Sequence, residues 1–451
     1  MTRIVNNRHM ASVAFAVLMV ICGIAAVYPT TFPTNTSGTP FNTGDMAWML
    51  IATSLVLLMT PGLAFFYGGM VTQKNIISTM LQSFICLGVV SLLWYVVGFS
   101  LAFGDDWGGL GLVGNPKTYF MFNNVGTAAH KTISTGLPFV LFAAFQLKFA
   151  VITPALVTGS FAERVRFWGY IVFVNLFCLL IYCPLAHMAW HPDGFLAKWE
   201  VLDFAGGTVV HIAAGCAALA GSIVLGKRKV VEEGATTSPV NIPFVILGTG
   251  LLWFGWFGFN AGSALGANEL AVKAFVNTNL ASAVAAVAWI MVDVMRGKKP
   301  SALGACIGAV VGLVAITPAA GYVNYGPSLF IGFIAAITSN QVVVWFHKSG
   351  LDDTLDVFPC HGVGGMVGML LTAVFSTETG GKLGLAYGGT HLMTMHVLAL
   401  IIVFTFTFGG SYLLFKLTDL ITPLRVDEGE EIEGLDISQH DETIRIAPAI
   451  E

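Results

Sequence analysis

Residues 203–215 read DFAGGTVVHIAAG, the start of a segment apolar enough to lie in a bilayer, yet His211 sits in its middle. A neutral imidazole there gives up hydrogen bonds that water would supply, and a charged one gives up far more. The rest of the chain decides whether the segment is a soluble core helix or a membrane span. Of 451 residues, 56% are hydrophobic and 10% charged, and the mean hydropathy is +0.79. Soluble domains carry roughly 25% charged residues. A chain this poor in charge cannot cover itself with a polar surface, so its solvent is lipid. The net charge of −4, with no basic patch, points away from nucleic acid. Fifty-one glycines suit a bundle whose helices approach closely. The seven cysteines are scattered with no metal-ligand spacing and read as small core residues.

Windows of about 20 apolar residues, the length that crosses a bilayer, fall at 46–69, 75–103, 138–160, 167–189, 206–226, 243–264, 272–295, 301–320, 327–347, 357–376 and 391–418. The expected fold is an all-α membrane protein of eleven spans. Alternate connections hold Lys74; Arg164 and Arg166; Lys227, Arg228 and Lys229; Arg296, Lys298 and Lys299; and Lys348. The intervening ones hold only Lys117, Lys131, Lys198, Lys273 and Lys382. Positive charge stays on the cytoplasmic side, so the mature N-terminus is expected outside and the C-terminus inside. The first residues combine a basic start, an apolar run and an Ala-Ala end, as in a cleaved signal peptide; the alternative is a retained first transmembrane helix. The expected organisation is signal peptide 1–26, extracytoplasmic segment 27–44, transmembrane domain 45–420 and cytoplasmic tail 421–451. By composition alone, the acidic run after Arg425 reads as a solvated tail.

His211 has a counterpart. The tenth span opens DVFPCHGVGGMVGML, placing His361 among glycines five spans later. On a regular helix His211 shares a face with Gly207 and Gly215, and His361 shares one with Gly364, Gly365 and Gly368. Two imidazoles on small-residue stripes suit an internal helix contact, and their spacing fits an inverted repeat of spans 1–5 and 6–10. No hydrolase motif, phosphate loop or metal-ligand set accompanies either histidine, which argues against an enzyme and implies no cofactor. Phe145 and Phe149 share a helix face, as do Phe259 and Ser263, and Trp190 ends the fourth span. Ordinary packing explains most such aromatics, whereas a cage of rings with one hydroxyl acceptor binds a small cation that donates hydrogen bonds. Asp203 reads as an N-cap for Gly206 or Gly207, and a carboxylate there also favours cations in an outer vestibule. Lys148, ten positions into the third span, is too deep to snorkel; it pairs with a carboxylate, meets another subunit or stays neutral.

DFAGGTVVHI (203–212) resembles the signature of the ammonium transporter (Amt/Rh) family. The stretches LMTPGLAFFYGG (58–69), FQLKFAVITPALVTGSFAERVRF (145–167), AHMAWHPDGFLAKWEVLDFAGG (186–207), GWFGFNAGSALGANELAVKAFVNT (255–278) and DDTLDVFPCHGVGGMVGMLLTAVF (352–375) are similar to its other blocks, in the same order. The tail LRVDEGEEIEGLDISQHDE (424–442) resembles that of bacterial Amt proteins, and the likeness spans about 45–441. It implies eleven helices, a 5+5 inverted repeat plus a final helix, and a homotrimer with one pore per subunit. It further implies ammonium recruitment by Phe145, Trp190 and Ser263, a gate of Phe149 and Phe259, and pore histidines His211 and His361. Asp203 would order the vestibule and Trp256 would pack beside the pore. The stretch from Trp190 to Asp203 is one residue longer than the family's usual spacing. The implied activity is electrogenic uptake, with NH3 and H+ moving separately, in the inner membrane under a PII-type signal protein. The rival from another class is an ammonium sensor whose pore does not conduct and which signals through a separate partner. An Rh-like gas channel fits the motifs less well.

Overall fold

A computed structural model describes residues 2–36, 40–234, 238–378 and 381–444. Among the described residues the chain is helical, with only isolated β-bridges. In chain order the long helices are α1 (Thr2–Val27), α2 (Thr43–Met70), α3 (Gln73–Phe103), α4 (Phe139–Ser160), α5 (Phe167–Lys198), α6 (Gly207–Leu225), α7 (Ile242–Gly262) and α8 (Glu269–Met295). There follow α9 (Ala302–Ile316), α10 (Tyr325–Ser349), α11 (Phe358–Phe375) and α12 (His391–Ile421). Two short helices close the tail, α13 (Glu428–Glu433) and α14 (Leu435–His440). Side-chain acceptors start several helices: Asn42 caps α2, Asn241 α7, Asn268 α8 and Ser301 α9.

Eleven helices are long and apolar enough to cross a membrane, but they are not the eleven expected windows. One of them is α1, and the window 301–320 falls short because α9 has only 15 residues. At 1.5 Å per residue it spans about 22 Å against a hydrocarbon core of about 30 Å. Pro318, just past the C-cap Thr317, cannot continue the hydrogen-bond ladder. From Gly308 to Ile316 every residue of α9 is buried, so it fills the bundle instead of facing lipid. By contrast α1 contributes no buried residue to its apolar window. The segment after it is tied down: Thr31 accepts from the Asn124 amide at 2.8 Å and Pro33 from Ala128 at 3.0 Å. All seven cysteines are free, and six are buried.

Glycines let the central helices meet backbone to backbone. On the contact between α2 and α7, a Cβ at Gly258 would lie 2.6 Å from Leu55 Cβ, and one at Gly62 2.9 Å from Leu251 Cβ. Where α6 crosses α11, a side chain at Gly215 would run into the backbone of Gly362, and one at Gly365 would sit 3.2 Å from the Gly207 carbonyl. That second crossing sets the site.

The acidic tail is solvated only in part: Asp427, Glu428, Glu433, Asp441 and Glu442 are exposed, but the other three acids are docked. Glu431 and Asp436 are buried. Glu430 pairs with Arg166 at 3.0 Å, Glu431 with Arg425 at 2.9 Å, and Asp436 accepts from the amides of Ile77 and Ser78 near the start of α3. Lys74 donates to the carbonyls of Glu431 and Ile432. Composition records charge but not its partners, and except for Arg425 these lie far away in sequence.

Candidate functional site

Both histidine-bearing helices start with a π-helical turn, Gly207–Ile212 in α6 and Phe358–Val363 in α11. The wider turn shifts side chains from the α-helical register assumed above, and such turns concentrate at functional sites. Gly206 precedes the first at φ 114°, a left-handed conformation that disfavours any side chain. The Asp203 carboxylate takes up the free donors of that start. It accepts from the amides of Gly206 (2.8 Å), Gly207 (2.5 Å) and Thr208 (2.8 Å), and from the Thr208 hydroxyl. Those bonds occupy its lone pairs, so Asp203 holds the helix start together, as its reading as an N-cap expects.

The sequence pattern contains a second cap that composition does not flag. Asp353 lies eight residues before His361, as Asp203 lies eight before His211, and it accepts from Val357 (3.1 Å) and Phe358 (2.7 Å). The repeated Asp-to-His spacing is the signal that could have found it. Burial, and then the charge of Asp356, push the Asp353 carboxyl up to about 7. Beside it, Arg228 bonds Asp352 (2.9 Å) and Glu163 (2.7 Å), and this contact holds the Asp352 carboxyl below its ordinary value although burial alone would raise it.

At the other end of the bundle a cavity of about 190 Å³ is lined by Phe149, Trp190, Ser263, Gln146, Phe103 and Phe204, among others. The Ser263 hydroxyl donates to the Phe259 carbonyl at 2.9 Å, which leaves its lone pairs free to accept. Trp190 Nε1 donates to the Asp203 carbonyl at 3.1 Å, so the longer connection between these two residues still brings them together. Phe145 stands elsewhere: its ring is fully buried, 4.9 Å from the Phe149 centroid and edge-on to it, against Gly262 and off the cavity wall.

A column of rings leads inward from this cavity. Phe149 and Phe259 lie 4.2 Å apart between centroids, Phe259 and His211 6.0 Å, and His211 and His361 5.4 Å. Trp256 stacks on His211 at 5.3 Å, its Nε1 donating to Thr317 Oγ1 at 2.9 Å. The two imidazoles meet Nδ1 to Nδ1 at 3.3 Å. His211 Nε2 is buried without a hydrogen-bond partner. Lys148 is partly exposed, and no carboxylate pairs with it among the described residues. No group of three or more potential metal ligands occurs among them either.

Comparison with known proteins shows the family. The sequence matches the Ammonium Transporter Family over residues 47–444. It is 46% identical over 404 residues to an ammonium transporter of Aquifex aeolicus, covering 89% of this chain and 93% of that one. The structure aligns with that of Saccharomyces cerevisiae Mep2 at a TM-score of 0.81 and 33% identity, covering 87% of this chain and 89% of the other. It also aligns with a Sensor Amt Protein at a TM-score of 0.81 and 30% identity, covering 88% and 98%. The chain is therefore an integral membrane protein and belongs to the ammonium transporter family.

Proposed function

We propose that this protein is an ammonium transporter that recruits NH4+ in the cavity, removes a proton, and passes NH3 along the column of rings to the two histidines. The observation that carries the reading is the Nδ1-to-Nδ1 contact of His211 and His361, buried beyond a pair of stacked phenylalanines. Two ring nitrogens so placed share one proton, so one imidazole keeps a bare Nε2 and the other an Nε2–H. The passage then offers one acceptor and one donor, which suits ammonia, while the unpartnered His211 Nε2 leaves room for a solute bond.

Selectivity follows from the order of the groups. NH4+ and K+ are similar in size, and the faces of Phe149 and Trp190 attract both. Ser263 Oγ favours the ion that can direct an N–H bond at it, whereas potassium gains only an undirected contact from one oxygen. Past the Phe149–Phe259 gate the surroundings are apolar, where a bare charge costs about 3 kcal/mol or more. Ammonium escapes that cost by giving up its proton, and potassium has none to give. The released proton crosses apart from NH3, taken up at a bare imidazole nitrogen and relayed by the His211–His361 pair, which makes uptake electrogenic. Phe145 acts behind the cage by backing Phe149.

The wider assignments rest on the same reading. The pairing of α2 with α7 and of α6 with α11, together with the matched Asp203–His211 and Asp353–His361 spacings, supports an inverted 5+5 repeat with α12 added. The protein works in the inner membrane with the recruitment cavity outside and the tail in the cytoplasm. It is cleaved after residue 25 or 26, which removes the unpacked α1. It assembles as a homotrimer, and its docked tail couples the subunits and receives a PII-type signal protein. Ammonium-dependent current in proteoliposomes tests the function. Inward current with ammonium and none with potassium is expected; transport without current would leave only NH3 passage. Binding without transport would favour the sensor reading, which the likeness to the Sensor Amt Protein keeps in view.

A further inference from the structure

Three buried histidines, His187, His191 and His396, stand outside the paired column, and His396 links its two ends. His396 lies in α12 with no exposed surface, and both of its ring nitrogens are engaged. Nε2 lies 3.0 Å from the Leu202 amide and Nδ1 lies 2.8 Å from the Met369 carbonyl. An amide can only donate and a carbonyl can only accept. The ring is therefore held as the neutral tautomer with its proton on Nδ1.

The two bonds reach opposite halves of the bundle. Leu202 directly precedes Asp203, in a stretch that is not helical and in which Glu200 has φ 60°. Helical hydrogen bonds cannot fix that backbone, so its position depends on individual acceptors. Phe204 finds one in the Pro318 carbonyl at 3.2 Å, and Leu202 finds one in His396. Asp203 in turn holds the start of α6 with its carboxylate and Trp190 with its carbonyl. Met369 lies on α11, eight residues beyond His361. The imidazole thus spans from the backbone that sets the recruitment cavity to the helix that carries the second pore histidine.

We infer that His396 is a positioning residue for ammonium recruitment, fixing the Leu202–Asp203 backbone and the Trp190 ring relative to the helix of His361. The inference rests on the recruitment reading above. An apolar side chain of similar size would fill the space but leave the Leu202 amide without its acceptor. The segment would then relax towards another partner and carry Trp190 with it.

The test is the concentration dependence of ammonium transport by the full-length protein in proteoliposomes, for wild type, His396→Leu and His396→Gln. Glutamine carries an acceptor and a donor at the separation of the two ring nitrogens. For His396→Leu the half-saturating ammonium concentration is expected to rise roughly tenfold, the scale of one lost hydrogen bond, with the maximal rate changed less than twofold. His396→Gln is expected to stay within twofold of wild type in both. A leucine variant with wild-type half-saturation, or a glutamine variant no better than leucine, would overturn the assignment in favour of simple packing. If the leucine variant does not fold, His396→Met replaces it with the same two criteria. Failure of wild type itself to transport ammonium would instead overturn the recruitment reading.

Discussion

Ser263 spends its only proton inside its own helix, on the Phe259 carbonyl, and faces the cavity as an acceptor. Replacement by alanine removes that acceptor without altering the aromatic cage. Ser263→Ala is expected to weaken ammonium binding by about 1 kcal/mol, roughly five- to tenfold, and to weaken the attraction for potassium distinctly less. Competition assays with the two ions check this, and equal losses for both would contradict it. At this scale much of the site is legible in the sequence. His211, His361, Ser263 and Trp190 stand out as polar or aromatic groups in apolar runs, and the structure brings them into one column and its mouth. Two features were not legible. The burial of Phe145 depends on the side toward which α4 turns, and Asp353 looks like one carboxylate among several in DDTLD until its eight-residue distance from His361 is set beside that of Asp203 and His211.

Helix starts and crossings carry the next level. The α6–α11 crossing is closed by absent side chains, so Gly215→Val would drive a branched group into the Gly362 backbone. Overpacking of this kind costs about 1–3 kcal/mol when neighbours can move, and backbone cannot move cheaply. The expected result is a large loss of folded protein by size-exclusion chromatography, whereas Gly409→Ala, where no heavy atom lies within 4 Å, is expected to be tolerated. The Asp353 cap predicts a pH effect. Its carboxyl is pushed up to about 7, above its value in an unfolded chain. The stabilisation linked to the bound proton is fully present below about pH 4 and is lost as pH rises through 7. Thermal unfolding between pH 4 and 7 is expected to show a falling contribution that Asp353→Asn removes; an unchanged slope in the variant would count against it. The hydropathy windows locate ten of the eleven expected spans as long helices. They overstate the length of α9, because they measure greasiness and not where a helix stops, and its helix ends at Ile316, just before Pro318. Nor can periodicity foresee a π-turn, since the hydrogen bonds that widen it leave no mark on composition.

Over the whole molecule, charge is concentrated where the tail meets the loops. Arg228 is buried between Asp352 and Glu163, so Arg228→Met would strand two carboxylates away from water. Breaking one partner of a buried pair costs about 3–5 kcal/mol, and a correspondingly lower unfolding midpoint is expected; a stability within about 1 kcal/mol of wild type would contradict the role given to this cluster. The tail shows most clearly where sequence reading stops. Its acids look alike in sequence, and only the fold separates the docked Glu430, Glu431 and Asp436 from the exposed Asp427, Glu428, Glu433, Asp441 and Glu442. The class of the molecule, by contrast, is legible almost entirely, because a chain with 10% charged residues has only lipid as a possible solvent. The measurement that bears most directly on the central claim is ammonium-evoked current in proteoliposomes carrying wild type or His211→Ala, with equal protein incorporated. A saturable wild-type current that falls at least tenfold, or loses its selectivity against potassium, in the variant is the expected result. An unchanged, still selective current would contradict the placement of His211 in the conducting path.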